Sequence, residues 1–295
     1  DKTRAFYAET LPNPYLRVFP IKEVSDIGRK HNIPLIMDNT AAPIICKPIE
    51  HGAAVVVHSL TKFIGGHGTV IGGCLVDGGN FDWTADPKRQ PLFNEPDASY
   101  GGAVWGEVVP QLTGANVAFA VRARVCLLRD LGAPLAPDNA WGIIQGLETA
   151  PLRMKQHCSN ATKVVDFLTK HKNVDRVIYP TLHKGELADR AKRYFKGGNG
   201  ALVGVEVKGG VEAGKKFIEA LKMFYHVANI GDARSLAIHP ATTTHSQLTE
   251  EELLAAGVTP GYIRLSIGIE HPDDIIADLD QALSASGKPS LKAVS

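Results

Sequence analysis

Three short apolar runs in the first quarter of the chain have the continuous pattern of buried β-strands. They cover residues 33–37, 53–57 and 70–76. Each run is hydrophobic at successive positions rather than at alternate ones, which is typical of strands that are covered on both faces in a parallel sheet. The pattern therefore predicts a mostly parallel sheet with helices packed against it, in an α/β fold.

Apolar residues spaced three and four positions apart predict helices around these runs. The predicted helices cover residues 20–32, 116–131 and 138–170. The last is long and contains Pro151, which predicts a kink. Because a long helix can leave one domain and enter the next, we expect a large domain over residues 1–150 and a second domain over residues 151–295.

The second domain alternates predicted strands with predicted helices. The strands cover residues 174–179, 201–207 and 262–267, and the helices cover residues 211–224, 250–256 and 273–285. Thr249 and Glu252 have the spacing of a capping box at the start of the middle helix. This alternation predicts a smaller C-terminal α/β domain.

Residues 81–103 interrupt the regular pattern of the large domain. They are polar and rich in Pro, Asp and Gly. We expect an ordered surface loop, and its length suggests a function.

Composition and charge narrow the class of protein. The 295 residues include 32 Lys and Arg against 31 Asp and Glu, a net charge of +1, which gives no reason to expect nucleic-acid or membrane partners. The 4 cysteines lie far apart and have no metal-ligand spacing, so we predict no metal site and reduced, buried thiols. With no apolar run of bilayer length and no signal peptide, we expect a cytoplasmic enzyme.

The candidate chemistry lies after two of the predicted strands. Asp38 ends the first run, where α/β sheets bind ligands. Lys62 follows the second run, after the hydroxyls of Ser59 and Thr61 and before the Gly65-Gly66 pair. An amine that can form an imine, hydroxyls for a phosphate and a carboxylate for a ring nitrogen are the groups that hold pyridoxal 5′-phosphate (PLP).

Each of these residues also has an ordinary interpretation. Alone, Asp38 is a turn-capping residue at a strand end, and Lys62 is a solvated surface charge. The combination favours chemistry, because burial beside an apolar strand would lower the pKa of Lys62 and make its amine a usable nucleophile. The glycines do not follow the Gly-x-x-x-x-Gly-Lys-Ser/Thr pattern, which argues against a plain nucleotide-binding domain.

Joined together, these motifs closely resemble the Cys/Met-metabolism family of PLP enzymes. Met37-Asp-Asn-Thr40 and Ser59-Leu-Thr-Lys-Phe-Ile-Gly-Gly-His67 carry the resemblance, and Glu9-Thr-Leu-Pro-Asn-Pro14 matches the family's Glu-Ser/Thr-x-x-Asn-Pro segment. The segments 229–246 and 257–271 resemble the O-acetylhomoserine sulfhydrylase branch. The resemblance covers nearly the whole chain.

The resemblance implies the fold-type-I PLP transferase architecture and a set of site residues. Lys62 would be the catalytic residue and the point of covalent attachment. The residues expected to bind the coenzyme are Lys62, Asp38, Ser59, Thr61 and Asn13. Those expected to bind the substrate are Arg264, whose fork suits a carboxylate, with Asn13 and Ser235. We assign no catalytic role to His239 or His245.

The implied activity is γ-replacement on O-acetyl-L-homoserine with sulfide or methanethiol. Within the same family, cystathionine γ-synthase, cystathionine lyase and methionine γ-lyase remain alternatives, as does a non-catalytic PLP-fold assembly partner. The resemblance also implies a homotetramer built from dimers.

Because the chain lacks an initial Met and begins inside a strand pattern, we expect a fragment. The family's phosphate-binding turn and ring-stacking Tyr, and a Tyr and Arg contributed by the neighbouring subunit, would lie upstream, in a separate N-terminal segment.

Overall fold

The computed structural model describes residues 2–287, which form two β-sheets with helices packed around them. The strands of the first sheet are β1 (Phe6–Glu9), β2 (Leu35–Asp38), β3 (Val55–Ser59) and β4 (Gly73–Asp77). Those of the second are β5 (Val174–Ile178), β6 (Leu202–Val207), β7 (Tyr225–His226), β8 (Leu236–Ile238) and β9 (Tyr262–Ser266). The predicted α/β class is confirmed.

The first sheet has the order β1-β2-β3-β4. β1, β2 and β3 are parallel, whereas β4 runs antiparallel to β3. The second sheet has the order β5-β6-β9-β8-β7, and only the β7-β8 pair is parallel. The prediction of a mostly parallel sheet was therefore wrong, because continuous hydrophobicity reports burial and carries no information on strand direction.

Ten α-helices are found within residues 2–287. They are α1 (Ile21–Lys30), α2 (Pro91–Asn94), α3 (Trp105–Thr113), α4 (Ala118–Arg122), α5 (Arg129–Leu131), α6 (Pro137–Leu168), α7 (Glu186–Tyr194), α8 (Gly210–Ala220), α9 (Glu250–Ala255) and α10 (Pro272–Ser286). A π-helical segment, Ala123–Leu128, joins α4 to α5. The predicted capping box of α9 is confirmed, with Thr249 and Glu252 each bonded to the other's backbone N–H.

The 32-residue helix α6 runs through Pro151 without interruption. Its C-terminal half packs into the core between the second sheet and α10, and its N-terminal half lies beside the segment that follows β3. The predicted boundary at residues 150–151 thus falls within one continuous helix. That boundary and the kink stay predictions.

Residues 81–103 are mostly irregular and exposed or half-buried, apart from the short helix α2, which agrees with the expected surface loop. The segment is also anchored in the core, which the sequence did not predict: Phe81, Trp83 and Phe93 are at most 6% exposed and pack with Phe119 of α4 in an aromatic cluster. Aromatic side chains of this size supply much of a core's apolar area. The anchor was missed because three aromatic residues among many polar ones leave the average polarity of the segment high.

No helix in residues 2–287 is both long enough and apolar enough to cross a membrane.

Candidate active site

Asp38 and Ser59 lie on one face of the first sheet, at neighbouring strand ends. The register pairs Asp38 with Val57, so Ser59, two residues later, faces the same side. Thr40 joins the two ends: its hydroxyl accepts a hydrogen bond from Ser59 N–H at 2.8 Å, and its own N–H donates to Asp38 Oδ1 at 2.9 Å. Asp38 Oδ2 accepts a hydrogen bond from the Tyr7 hydroxyl at 3.3 Å. The carboxylate is thereby fixed at the carboxyl edge of the sheet.

Lys62 is partly buried just beyond β3, and its amine is held by a residue of the segment between β7 and β8. Its Nζ donates a hydrogen bond to Asn229 Oδ1. Burial, and then the positive charge of Arg264, lower the pKa of the Lys62 amine from its ordinary value. A larger share of this amine is therefore neutral and nucleophilic near neutral pH than for a surface lysine.

Arg264 lies on β9, on the opposite face from its fully buried neighbours Ile263 and Leu265. Its Nη2 donates to Asn229 O at 3.2 Å, so one asparagine contacts both cations of the site. Burial lowers the pKa of the Arg264 guanidinium. No carboxylate of residues 2–287 forms an ion pair with Arg264, and a partly buried guanidinium in this state is suited to receive a carboxylate from a ligand.

Asn13 contacts strand β9 through Tyr262. The Tyr262 hydroxyl, two residues before Arg264 and on the same face, donates to Asn13 Oδ1 at 3.3 Å. The structure thus brings Lys62, Arg264 and Asn13 together, linked through Asn229 and Tyr262.

The backbone that follows Lys62, residues 62–66, forms a tight turn that we call the lysine turn. Gly66 N–H donates to Lys62 O at 2.7 Å. The segment before β8 packs directly on this turn, since Ala233 N–H donates to Gly66 O at 2.8 Å and Gly231 lies against the Phe63 backbone. The position of Lys62 therefore depends on contacts from both parts of the chain.

Two of the predicted residues have their hydroxyls engaged elsewhere. Ser235 is fully buried, and its hydroxyl donates to Glu270 Oε2 at 2.9 Å and accepts from Gly268 N–H at 2.9 Å. The Thr61 hydroxyl accepts from Gly72 N–H at 3.1 Å. The structure does not place the Ser235 hydroxyl beside Arg264 as a free group, and its role in binding substrate stays a prediction.

Sequence reasoning assigned no role to Asn229 or Tyr262. Asn229 lies within the 229–246 segment that carries the resemblance, but a single amide has no spacing that marks it. Tyr262 belongs to the predicted strand with Arg264, and its two-residue offset places it on the same face. That offset was the one available signal.

Comparison with known proteins decides the family. Residues 1–284 match the sequence profile of the Cys/Met metabolism PLP-dependent enzymes. The chain belongs to this family. Family membership agrees with the geometry, because Lys62 and Asp38 occupy the ends of neighbouring parallel strands.

Individual members of the Cys/Met metabolism PLP-dependent family are similar over almost the whole chain. An O-acetyl-L-homoserine sulfhydrylase of Leptospira meyeri is 53% identical over 288 residues, covering 96% of this chain and 65% of that protein. A homocysteine synthase of Schizosaccharomyces pombe is 44% identical, covering 97% and 66%. The chain thus spans just under two thirds of the length of these relatives.

A solved structure of the family shares the fold. The crystal structure of a putative O-acetylhomoserine (thiol)-lyase from Campylobacter jejuni superposes with a TM-score of 0.86 at 42% identity, covering 96% of this chain and 66% of that one. That structure contains an N′-pyridoxyl-lysine-5′-monophosphate. The predicted fold-type-I architecture is thereby supported, with mixed rather than mostly parallel sheets.

The donor groups of this chain fit PLP, the coenzyme of the family. An amine of lowered pKa at Lys62 suits covalent attachment, and the carboxylate of Asp38 at a strand end suits a protonated ring nitrogen. The Ser59 side chain shares the Asp38 face, as a phosphate ligand requires.

Proposed function

We propose that the whole protein is a PLP-dependent O-acetyl-L-homoserine sulfhydrylase. It would replace the acetate on Cγ of O-acetyl-L-homoserine with sulfide or methanethiol, which gives homocysteine or methionine plus acetate. The similarity to curated sulfhydrylases at 44–53% identity supports this choice within the family.

The observation that carries the proposal is the group formed by Lys62, Asn229 and Arg264. An amine of lowered pKa lies near a partly buried guanidinium, and Asn229 accepts a hydrogen bond from each, from Lys62 at its side-chain oxygen and from Arg264 at its backbone carbonyl. An amino-acid substrate needs a cation for its α-carboxylate and a base near its Cα. Both are present within one hydrogen-bonded set.

The residues divide the chemistry as follows. Bound PLP would supply an electron sink for negative charge on the substrate carbons. Lys62 would hold the coenzyme covalently and, once released by substrate, move protons at Cα and then at Cβ. Arg264 would bind the α-carboxylate, with Asn13 beside it. Asp38 would face the ring nitrogen, and Ser59 and Thr61 would contact the phosphate.

Acetate release with and without sulfide tests this function. We expect acetate and homocysteine in equal amounts only when sulfide is present, with little ammonia. A lyase would release ammonia and an oxo acid without any thiol, and a cystathionine γ-synthase would require cysteine. A protein that binds no coenzyme, and stays colourless when PLP is added, would be the non-catalytic assembly partner instead.

Replacing Arg264 should weaken substrate binding more than it slows turnover. Loss of a charge-assisted, two-pronged bond to the α-carboxylate should raise the KM for O-acetyl-L-homoserine by about 10²–10³-fold in Arg264→Ala. Arg264→Lys should recover only part of this loss, because an ammonium cannot form the fork. The exposed Arg129, which pairs with its neighbour Asp130, is the matched control for Arg→Ala. A change confined to the KM for sulfide would contradict the assignment.

Assembly and location extend the proposal. We propose a homotetramer of cytoplasmic subunits, as the resemblance implies. Large apolar side chains on α3 and α6 support burial against further protein, because Leu112, Trp141 and Leu152 are 80%, 67% and 72% exposed.

A further inference from the structure

Arg153 is a buried cation that faces backbone carbonyls rather than an acid. It lies on α6 and is 6% exposed. Its Nη1 donates to Phe63 O at 2.7 Å, and its Nη2 donates to Ile64 O at 2.9 Å and to Gly146 O at 2.7 Å. Nε donates to the Thr149 hydroxyl at 3.1 Å. Within residues 2–287, no carboxylate forms an ion pair with it.

This arrangement is costly unless each carbonyl bond is kept. An uncompensated buried charge destabilises a fold strongly, and burial lowers the pKa of the Arg153 guanidinium. Two of its three carbonyl partners, Phe63 and Ile64, directly follow Lys62 in the chain. Two of the hydrogen bonds that compensate the buried charge of Arg153 therefore come from the lysine turn.

The Arg153 guanidinium and helix α6 are in close contact with the lysine turn. A Cβ on Gly66, which has φ +69°, would overlap Arg153 Nη1. A Cβ on Gly146 would overlap Gly65 O, so α6 touches the backbone of the turn. Because Gly66 N–H bonds to Lys62 O, a shift of the turn is a shift of Lys62.

We propose that Arg153 is a positioning residue for Lys62: it ties α6 to the two carbonyls after the lysine and so fixes the amine that receives the coenzyme. The second domain holds the opposite side of the turn through Gly231 and Ala233. Arg153 itself acts only through the backbone. The functional half of this inference rests on the proposed role of Lys62, whereas the ordering of the turn does not.

Hydrogen exchange on the intact protein without coenzyme tests the ordering directly. In Arg153→Met, which keeps an unbranched chain but no donor, we expect exchange of the amides of residues 62–66 to rise at least about tenfold. Arg153→Lys should give a smaller rise, because an ammonium can still reach a carbonyl. The control is Phe217→Leu. Phe217 is fully buried in the hydrophobic core between the second sheet and α10, in a different cluster from the lysine turn.

Attachment of PLP tests the functional half. We expect Arg153→Met to lower both the rate of borohydride-trappable attachment at Lys62 and kcat, with the KM for the amino-acid substrate little changed. Equal exchange of residues 62–66 in Arg153→Met and Phe217→Leu, compared at matched global stability, would overturn the ordering. Faster exchange with unchanged attachment and kcat would overturn the positioning role. If Arg153→Met does not fold, Arg153→Lys carries the same two readouts.

The two proposals fail separately. If the sulfide-dependent assay shows no activity while exchange rises as expected, the proposed function fails and Arg153 still orders the turn. If activity is present and the lysine turn is insensitive to Arg153, the inference fails and the function stands.

Discussion

The intact protein carrying Lys62→Ala is expected to lose turnover by at least about 10⁴-fold and to lose covalent attachment of PLP entirely. Two functions disappear together, because the same amine would hold the coenzyme and move the substrate proton at Cα. Methyl replacement also removes the donor that contacts Asn229 Oδ1. Steady-state kinetics gives the first effect, and mass spectrometry of peptides after borohydride reduction gives the second.

Lys47→Ala is the matched control for this change. Lys47 is exposed, and its one ion pair within residues 2–287 is with Glu50 on the same turn, an interaction worth roughly 0.2–1 kcal/mol. We expect its kinetics and its modified peptide to equal those of the wild type. Reduced PLP found on any peptide other than the one containing Lys62 would disprove the attachment site.

Gly231→Ala should destabilise the fold by about 2–5 kcal/mol, a large effect for one methyl group. Gly231 has φ +74°, where an L side chain costs about 1–2 kcal/mol. The added Cβ would also lie 2.5 Å from the Phe63 backbone nitrogen. Relieving that overlap requires the lysine turn to move, which adds about 1–3 kcal/mol. Urea denaturation measures the sum.

Gly197→Ala separates the two costs. Gly197 has φ +77°, and no atom lies within 4 Å of its added Cβ. Gly197→Ala should lower the free energy of unfolding only by the cost of a positive φ for an L residue, about 1–2 kcal/mol. Equal losses of unfolding free energy in the two variants would show that the contact between the second domain and the lysine turn is loose. Unchanged m-values in both are needed for the comparison.

Local patterns predicted the elements of this fold better than their arrangement. The strands β2, β3, β6 and β9 and the helices α1, α6, α8 and α10 follow from short-range hydrophobic periodicity. The direction of β4 does not, because an antiparallel return requires only a short connection, and residues 60–72 contain no crossover helix. The buried aromatic cluster was hidden for a related reason, since burial of Trp83 depends on a partner, Phe119, that is distant in sequence.

The candidate site shows the same division. Lys62, Asp38 and Ser59 were predictable because two short motifs place each of them at the end of a strand or just beyond it. Asn229 and Arg153 were not, because each acts through backbone or amide contacts across more than eighty residues of sequence. A sequence pattern encodes spacing along one element, whereas these contacts arise only when helix α6 and the second sheet are docked.

Helix α6 has a further consequence for how this protein fails. Its side chains bond the lysine turn at Arg153 and the segment just after β9 at Asn160, whose Nδ2 donates to Gly268 O at 3.0 Å. Helix α6 therefore contributes side chains to both hydrophobic cores. Unfolding of either core would remove contacts from the other. We therefore expect the two cores to lose their tertiary packing together on heating, rather than one after the other.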